Sequence, residues 1–215
     1  MRTQRALLLD VGVVLFKSAW EIADEFEQLN SLAPGTVPGR GPFQPGGDPL
    51  WQRHLAGELT EREYWLGNAD VAVAQGAPLH GHPQLMRAMF QQPGIDPVRP
   101  EGMRVLLAAR DAGIQTAIFS NELMDFQGRE WVEAQDWFGL FDVVVDASET
   151  GLRKPDSAAY DLAIDVVGLP ADALVFVDDN PSYVAGGTKA GMRAVLLDVL
   201  DPAAAFDEAA RLLGL

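Results

Sequence analysis

Short apolar runs that end abruptly in polar residues recur along this chain. The first is Leu7–Leu9, which is closed by Asp10. Four more follow in the carboxyl-terminal half, at residues 113–121, 141–148, 173–180 and 192–198. Runs of this length and composition are typical of strands that are buried in a parallel sheet. The pattern therefore predicts five strands with polar side chains at their carboxyl ends.

Stretches with helical periodicity separate most of these runs. In the carboxyl-terminal half they cover residues 102–112, 126–137, 156–167, 183–190 and 202–213. Strands that alternate with helices of about ten residues indicate βαβ units. We therefore expect an α/β fold, with a Rossmann-like parallel sheet covered by helices on both faces. Ligands bind such sheets at the carboxyl ends of the strands, where the polar residues lie.

The segment between the first two predicted strands breaks this alternation. It shows only helical patterns, at residues 19–29, 49–56, 60–74 and 84–91. Thr60 and Glu63 have the spacing of a capping box, which favours a helix start there. We expect residues 18–99 to form an inserted helical cap, and residues 1–17 and 100–215 to form the α/β core. Within the cap, glycine and proline make residues 33–49 a predicted loop.

Composition narrows the function classes. The 215 residues are 48% hydrophobic and carry a formal net charge of −15 from 31 acids and 16 bases. Scattered bases do not form the basic stripe that nucleic-acid binding requires. The chain has no cysteine, which excludes disulfides and thiolate chemistry. No apolar run approaches the roughly 20 residues of a membrane helix, and Asp10 interrupts the apolar start, so we expect a cytoplasmic protein without membrane or nucleic-acid partners. Nothing in the pattern predicts an oligomeric state.

Four segments stand out, in this order: LLLDVGVVLF, AIFSN, SETGLRKPDSAAY and ALVFVDDNPSYVAGGTKAGM. Together they resemble the four signature segments of the haloacid dehalogenase (HAD) superfamily. The resemblance covers the whole predicted core, and GLRKPD followed by FVDDNP is its most specific part. It is strongest to the branch with a small helical cap, which includes α-D-glucose-1-phosphate phosphatase and the N-terminal phosphatase domain of soluble epoxide hydrolase.

The resemblance implies a phosphatase that hydrolyses a small phosphorylated metabolite, such as a sugar phosphate, through an aspartyl-phosphate. Asp10 ends the first strand, where its carboxylate can attack phosphorus. A phosphate ester is itself anionic and repels a carboxylate, so the site must supply positive charge. Lys154 would neutralise both the nucleophile and the phosphate. The hydroxyl of Ser120 and the amide of Asn121 would bind a phosphate oxygen.

The resemblance also implies magnesium (Mg²⁺) as the cofactor. The side chains of Asp10 and Asp179 and the backbone carbonyl of Gly12 would be its ligands, because hard cations choose oxygen. Asp178 would orient the site without touching the cation, although two adjacent acids leave open which of them is the ligand.

Each of these residues also has an ordinary structural interpretation. Asp10 can simply end a strand, and Lys154 can be a solvated loop residue. Ser120 and Asn121 can form a turn or a helix cap, and Asp178, Asp179 and Asn180 can cap the helix that follows them. Only their joint occurrence, in family order, favours a shared site.

Position 12 departs from the family pattern. Most HAD phosphatases have a second aspartate there, which protonates the leaving alcohol and then activates water, and Gly12 can do neither. Such general acid–base assistance typically raises the reaction rate about 10²–10⁴-fold. The first segment of α-D-glucose-1-phosphate phosphatase also resembles Asp-x-Gly at this position. The anomeric oxygen of a sugar is more acidic than an ordinary alcohol, so it leaves more readily. We therefore expect a preference for anomeric or otherwise activated phosphates. Possible substitute acids are His54, His80, His82 and Glu122.

Two other functions stay open. In a 2-haloacid dehalogenase the aspartate attacks carbon and displaces halide without a metal, which is compatible with Gly12. The fourth segment of dehalogenases, however, resembles Ser-Ser-Asn-x-x-Asp, whereas the same segment of this chain starts with Asp178 and Asp179. The other alternative is a catalytically impaired HAD-fold binding protein, and Gly12 is its only support.

Overall fold

The structure, a computed structural model, describes residues 4–77 and 82–215. It divides into two compact units. The first comprises the chain up to Phe16 together with Val98–Leu215, and the second comprises Lys17–Pro97. None of the helices in the described ranges is long and apolar enough to cross a membrane.

The first unit is built on a five-stranded sheet in which all neighbouring strands run parallel. Its strands β1–β5 are Ala6–Leu9, Gln115–Ser120, Val143–Asp146, Leu174–Asp178 and Arg193–Leu196. The order β3-β2-β1-β4-β5 places β1 at the centre. In register, Leu9 lies beside Ile118 of β2 and Val177 of β4, so the ends of these three strands meet. The predicted α/β fold and its five strands are confirmed.

The α-helices of the described part are, in chain order, α1–α11: Ala19–Leu29, Pro49–Leu55, Glu61–Ala74, His82–Phe90, Pro100–Asp111, Leu123–Gln127, Arg129–Glu133, Ala147–Thr150, Ser157–Val167, Pro181–Lys189 and Pro202–Leu213. Most of them match the sequence prediction to within a few residues. The single helix predicted over residues 126–137 is wrong. Gly128, with a φ of +84°, separates α6 from α7, because this backbone conformation breaks a helix and suits glycine alone.

Helices cover both faces of the sheet. On one face, Tyr160 of α9 packs with Leu8, Phe119 and Phe176 of the strands in a buried apolar cluster. On the other face, α5 and α11 lie together against the sheet. Gly102 of α5 permits this approach, since a Cβ atom there would lie only 3.0 Å from the Phe206 ring of α11. The two apolar layers fix the strand ends that carry the polar residues.

The second unit contains α1–α4 and the glycine- and proline-rich loop. Apart from two short 3₁₀ turns, residues 33–48 have no regular structure, as predicted, and α2 begins at Pro49, the last residue of the predicted loop. The capping box at Thr60 is confirmed, because its backbone N–H donates to the Glu63 carboxylate at 2.7 Å. Two buried carboxylates hold the loop in place. Glu27 accepts hydrogen bonds from backbone N–H groups of the loop, and Asp48 does the same from inside the loop.

Candidate active site

Asp10 follows β1 directly and is fixed at the centre of the sheet's carboxyl edge. Its backbone N–H donates to the Val177 carbonyl at 3.1 Å, which continues the pairing of β1 with β4. The chain then enters a tight turn, Val11–Leu15. Within it Val13 has a φ of +63°, a conformation that β-branched residues strongly disfavour. Backbone strain of this kind tends to occur at functional sites.

The Lys154 ammonium group joins the carboxyl ends of three strands, β1, β2 and β4. Nζ donates to Asp10 Oδ1 at 2.9 Å, to Asp178 Oδ2 at 2.6 Å and to the Phe119 carbonyl at 2.8 Å. The side chain of Lys154 is fully buried, and that of Asp10 is 14% exposed. Three acceptors satisfy the three N–H donors of a lysine, so this cation is held in one position. The solvated-loop interpretation of Lys154 is therefore excluded.

Aromatic rings complete the surroundings of the ammonium group. Nζ lies 5.1 Å from the ring centre of Phe119, 5.3 Å from that of Phe176 and 5.2 Å from that of Tyr183. Ring faces at this distance attract a cation. Sequence reasoning missed these rings, although Phe119 and Phe176 lie in the two apolar runs that precede the polar strand ends.

Burial and neighbouring charges shift the titration of this pair. Burial raises the pKa of Asp10 to about 6, with Asp178 adding to the rise and Lys154 opposing it. Burial by itself would lower the pKa of Lys154. The charges of Asp10 and Asp178 outweigh that effect, so the pKa of Lys154 lies above its ordinary value. Near neutral pH the site therefore holds a permanent cation beside a carboxylate that is costly to keep charged.

The adjacent acids 178 and 179 differ in their surroundings. Asp178 is buried, and both of its oxygens are used: Oδ2 accepts from Lys154 and Oδ1 from the Asn180 backbone N–H at 2.9 Å. Asp179 is half-buried. Asn180 caps α10, because its side chain accepts from the Ser182 N–H at 2.9 Å. The capping interpretation thus holds for Asn180, whereas Asp178 supports Lys154.

The end of β2 carries Ser120 and Asn121. Ser120 is buried, with its Oγ 3.3 Å from the Glu122 backbone N–H. The Asn121 side chain grips the backbone of Lys154 in both directions: its Nδ2 donates to the Lys154 carbonyl at 3.0 Å, and its Oδ1 accepts from the Lys154 N–H at 2.8 Å. Asn121 therefore positions Lys154, a contact that the sequence did not reveal.

Gly12 lies two residues after Asp10, on the exposed side of the turn. Its φ of −61° and ψ of 129° suit any residue. A Cβ atom there would meet only Asp10 Oδ2, at 3.7 Å, which is ordinary contact. Glycine is thus not required at this position by either the backbone conformation or the space available.

The possible substitute acids have other partners or lie outside the described part. Nδ1 of His54 is 3.0 Å from the Leu59 carbonyl, within the second unit. Glu122 accepts from Arg153 at 2.8 Å. His80 and the side chain of His82 lie outside the described residues. Within the described ranges, no group of three or more His, Asp or Glu side chains could hold a metal by itself.

Comparison with known proteins identifies the family of this chain. The family model for haloacid dehalogenase-like hydrolases matches residues 5–191. The chain is 31% identical over 162 residues to a phosphoserine phosphatase of Thermus thermophilus, covering 70% of this chain and 63% of that protein. The chain spans less than two thirds of the length of the curated relatives that it matches.

Solved structures share the fold over the whole chain. The Bacillus subtilis HAD-hydrolase YfnB, whose crystal structure is described as bound to magnesium, aligns with a TM-score of 0.67 and 16% identity, with both chains fully covered. An L-2-haloacid dehalogenase aligns with a TM-score of 0.61 and 24% identity, over 99% of this chain and 100% of that one. The chain belongs to the haloacid dehalogenase-like hydrolases, and it has phosphatase relatives.

Proposed function

We propose that this hydrolase is a magnesium-dependent phosphatase that acts on a small phosphorylated metabolite through an aspartyl-phosphate at Asp10. The observation that carries the proposal is the buried Lys154 ammonium group, which lies 2.9 Å from Asp10 and 2.6 Å from Asp178. A carboxylate nucleophile needs such a fixed cation, because the phosphate dianion would otherwise repel it.

The chain's own residues account for two chemical steps. Oδ2 of Asp10 attacks phosphorus while Lys154 holds Oδ1 and offsets the charge of the incoming phosphate. The P–O bond to the leaving group breaks, and the released oxygen takes a proton from water. Water then attacks the aspartyl-phosphate, which releases inorganic phosphate and regenerates the Asp10 carboxylate. Throughout, Asp178 and the Phe119 carbonyl hold the ammonium group in place.

Two groups at the end of β2 are assigned to the phosphate. The Ser120 hydroxyl is assigned to one phosphate oxygen. The side chain of Asn121 is bonded to the backbone of Lys154. The phosphate contact from residue 121 therefore falls to its backbone N–H, a donor that side-chain substitution does not remove.

The donor set suits magnesium. The carboxylates of Asp10 and Asp179 and the Gly12 carbonyl are hard oxygen donors, and Mg²⁺ is usually bound by one or two carboxylates together with substrate phosphate and water. Asp178 is the less suitable ligand, because both of its oxygens already accept hydrogen bonds. When bound, the cation would neutralise charge on the phosphate. Asp10 and Asp178 both contact the single ammonium group of Lys154, so their carboxylates leave a net negative charge for the cation to balance.

Gly12 restricts the substrate. With no acid at this position, the leaving group departs without proton donation from residue 12, so phosphates of acidic oxygens are favoured. Sugar 1-phosphates, whose anomeric oxygen is more acidic than an alkyl alcohol, are the substrate class that we assign. We also assign residues 18–99 the role of a helical cap that selects among them.

The direct test measures phosphate release from a panel of sugar phosphates with Mg²⁺ and with excess EDTA, and chloride release from 2-chloropropionate. We expect phosphate release that EDTA abolishes and Mg²⁺ restores. Asp10→Asn should lower phosphate release. Asp207→Asn, which removes an exposed carboxylate far along the chain, is its matched control. Chloride release that EDTA does not affect would instead identify a dehalogenase, and no release of either kind would identify a binding protein.

Gly12→Asp tests the leaving-group argument. The backbone and the space at residue 12 accept a side chain, so the variant should fold normally. A carboxyl group there can donate the missing proton, and turnover of glycerol phosphate relative to a sugar 1-phosphate should rise about 10–100-fold, within the usual range for general acid catalysis. Gly12→Asn is the matched control, since it fills the same space without an acid. Equal wild-type turnover of both substrates would contradict the preference.

A further inference from the structure

We propose that Arg99 is a positioning residue, which holds the turn after β1 in the strained conformation that the site requires. This inference rests on the proposed function, because the turn Val11–Leu15 follows the nucleophile and carries the Gly12 carbonyl. Arg99 lies far from Asp10 along the chain and belongs to none of the four family segments.

The turn contains an unfavourable residue at its centre. Val13 has a φ of +63° and a ψ of −25°, and its branched Cβ makes this left-handed region especially unfavourable. Two backbone hydrogen bonds bracket the turn, from Leu15 N–H to the Asp10 carbonyl at 3.4 Å and from Phe16 N–H to the Val11 carbonyl at 2.8 Å. Neither bond uses the N–H or the carbonyl of Val13 itself.

Arg99 donates to three consecutive carbonyls of this turn. Its Nη2 lies 3.0 Å from the Val13 oxygen and its Nε lies 3.3 Å from the Val14 oxygen. Its backbone N–H donates to the Leu15 carbonyl at 2.8 Å. Arg99 is 2% exposed. A buried charged donor forms stronger hydrogen bonds than a neutral one, and its planar fork can serve two adjacent carbonyls at once.

The arginine itself has a rigid base. Arg99 precedes Pro100, the first residue of α5, and proline keeps the preceding backbone extended. The close packing of Gly102 against Phe206 fixes α5 on the sheet. Because Arg99 is fixed at the start of α5, its guanidinium group holds the carbonyls of the turn in a fixed position relative to that helix. A lysine in its place could not reach both oxygens with one fixed group.

Without the guanidinium group, Val13 is expected to relax to a negative φ. That rotation would move the Gly12 carbonyl and the backbone next to Asp10. A displacement of about 1 Å in a reacting group can lower a rate on the order of 100-fold. Arg99 would thus affect catalysis without touching substrate.

The test is a double-mutant cycle between Arg99→Met and Val13→Gly. Glycine adopts a positive φ without strain, so it should hold the turn even when the arginine is absent. In the wild-type background Arg99→Met should lower kcat about 10–100-fold with KM changed less than about threefold, whereas in the Val13→Gly background the loss should be less than about threefold. Arg99→Lys should behave like Arg99→Met. Arg104→Met, which removes an exposed arginine of α5 paired with Asp207, should stay within about twofold of wild type.

The same cycle is measured by urea unfolding, which does not depend on activity. We expect Arg99→Met to destabilise the protein less in the Val13→Gly background. If the wild type hydrolyses no phosphate ester, the proposed function fails, while the unfolding cycle still decides the role of Arg99. Equal losses in both backgrounds would overturn the positioning role. So would failure of both Arg99 variants to fold when Val13→Gly does not restore folding.

Discussion

Asp10 and Asp48 are both carboxylates enclosed by protein, yet their surroundings are opposite. In the second unit, Asp48 accepts hydrogen bonds from the N–H groups of Arg40, Gly41 and Trp51 and from the Tyr64 hydroxyl. In the first unit, Oδ1 of Asp10 accepts from Lys154, and Oδ2 lies on the side of Gly12, an exposed residue. The Asp48 carboxylate accepts from four neutral donors, whereas the strongest partner of the Asp10 carboxylate is one cation.

The difference appears in their titration. Burial by itself would raise the pKa of Asp48, but the hydrogen bonds from Trp51, Tyr64 and the other donors outweigh it and keep that pKa below its ordinary value. Burial wins at Asp10, whose pKa rises to about 6. A buried carboxylate whose oxygens all have donors stabilises a loop. One that keeps an oxygen for an incoming group has a chemical use, at the expense of stability.

Asp10→Asn should produce the largest effect, a loss of turnover without a loss of stability at pH 7. An amide cannot form the aspartyl-phosphate, so phosphate release should fall by at least about 10³-fold. Because the fold disfavours the charged form of Asp10, the free energy of unfolding at pH 7 should be unchanged or higher in the variant. Turnover and urea unfolding of the same preparation measure both quantities. A large loss of stability with turnover retained would reverse the comparison.

Asp48→Asn should produce the opposite result. One amide oxygen cannot replace two carboxylate oxygens, so buried donors such as the Gly41 N–H and the Tyr64 hydroxyl lose their acceptor. We expect a loss of about 2–3 kcal/mol in the free energy of unfolding, the usual effect of unsatisfied buried groups. Asp70→Asn, an exposed acid in the same unit, is the matched control and should change it by less than about 0.5 kcal/mol. An equal effect of the two substitutions would show that the Asp48 hydrogen bonds contribute nothing.

The sequence predicted the parts of this molecule that depend on local pattern. Each strand of the sheet was visible as an apolar run with a polar end, and the ends of β1, β2 and β4 meet because parallel strands share an edge. The pairing of Lys154 with Asp10 followed from the family resemblance and from the need for positive charge. The roles of these residues, and of the metal ligands, stay predictions until activity is measured.

Contacts between distant segments could not be predicted. The sequence predicts that the Asn121 side chain binds phosphate or forms a turn. In the structure it instead forms two hydrogen bonds with the backbone of Lys154. No periodicity in the sequence indicates that the guanidinium group of Arg99 turns inward to Val13. Asp48 reads as part of a loop. In each case the partner is chosen by tertiary packing, which short-range patterns do not record.

The smallest expected effect is the pH dependence of the Asp48 contribution. Because the folded pKa of Asp48 is below its ordinary value of 3.8, its hydrogen bonds stabilise the fold fully above that value, and the contribution is lost as pH falls through the lower, folded pKa. The difference in unfolding free energy between wild type and Asp48→Asn should therefore be constant from pH 7 to about pH 5 and shrink below about pH 4. Urea unfolding of both proteins across this range measures it. Asp10 has the opposite pH dependence. Because burial raises its folded pKa to about 6, the wild type gains stability as the pH falls from about 7 to about 5. Asp10→Asn should consequently remove a gain in stability of the wild type between about pH 7 and pH 5. A difference between wild type and Asp48→Asn that stays constant down to pH 3 would mean that this carboxylate is not what holds the loop.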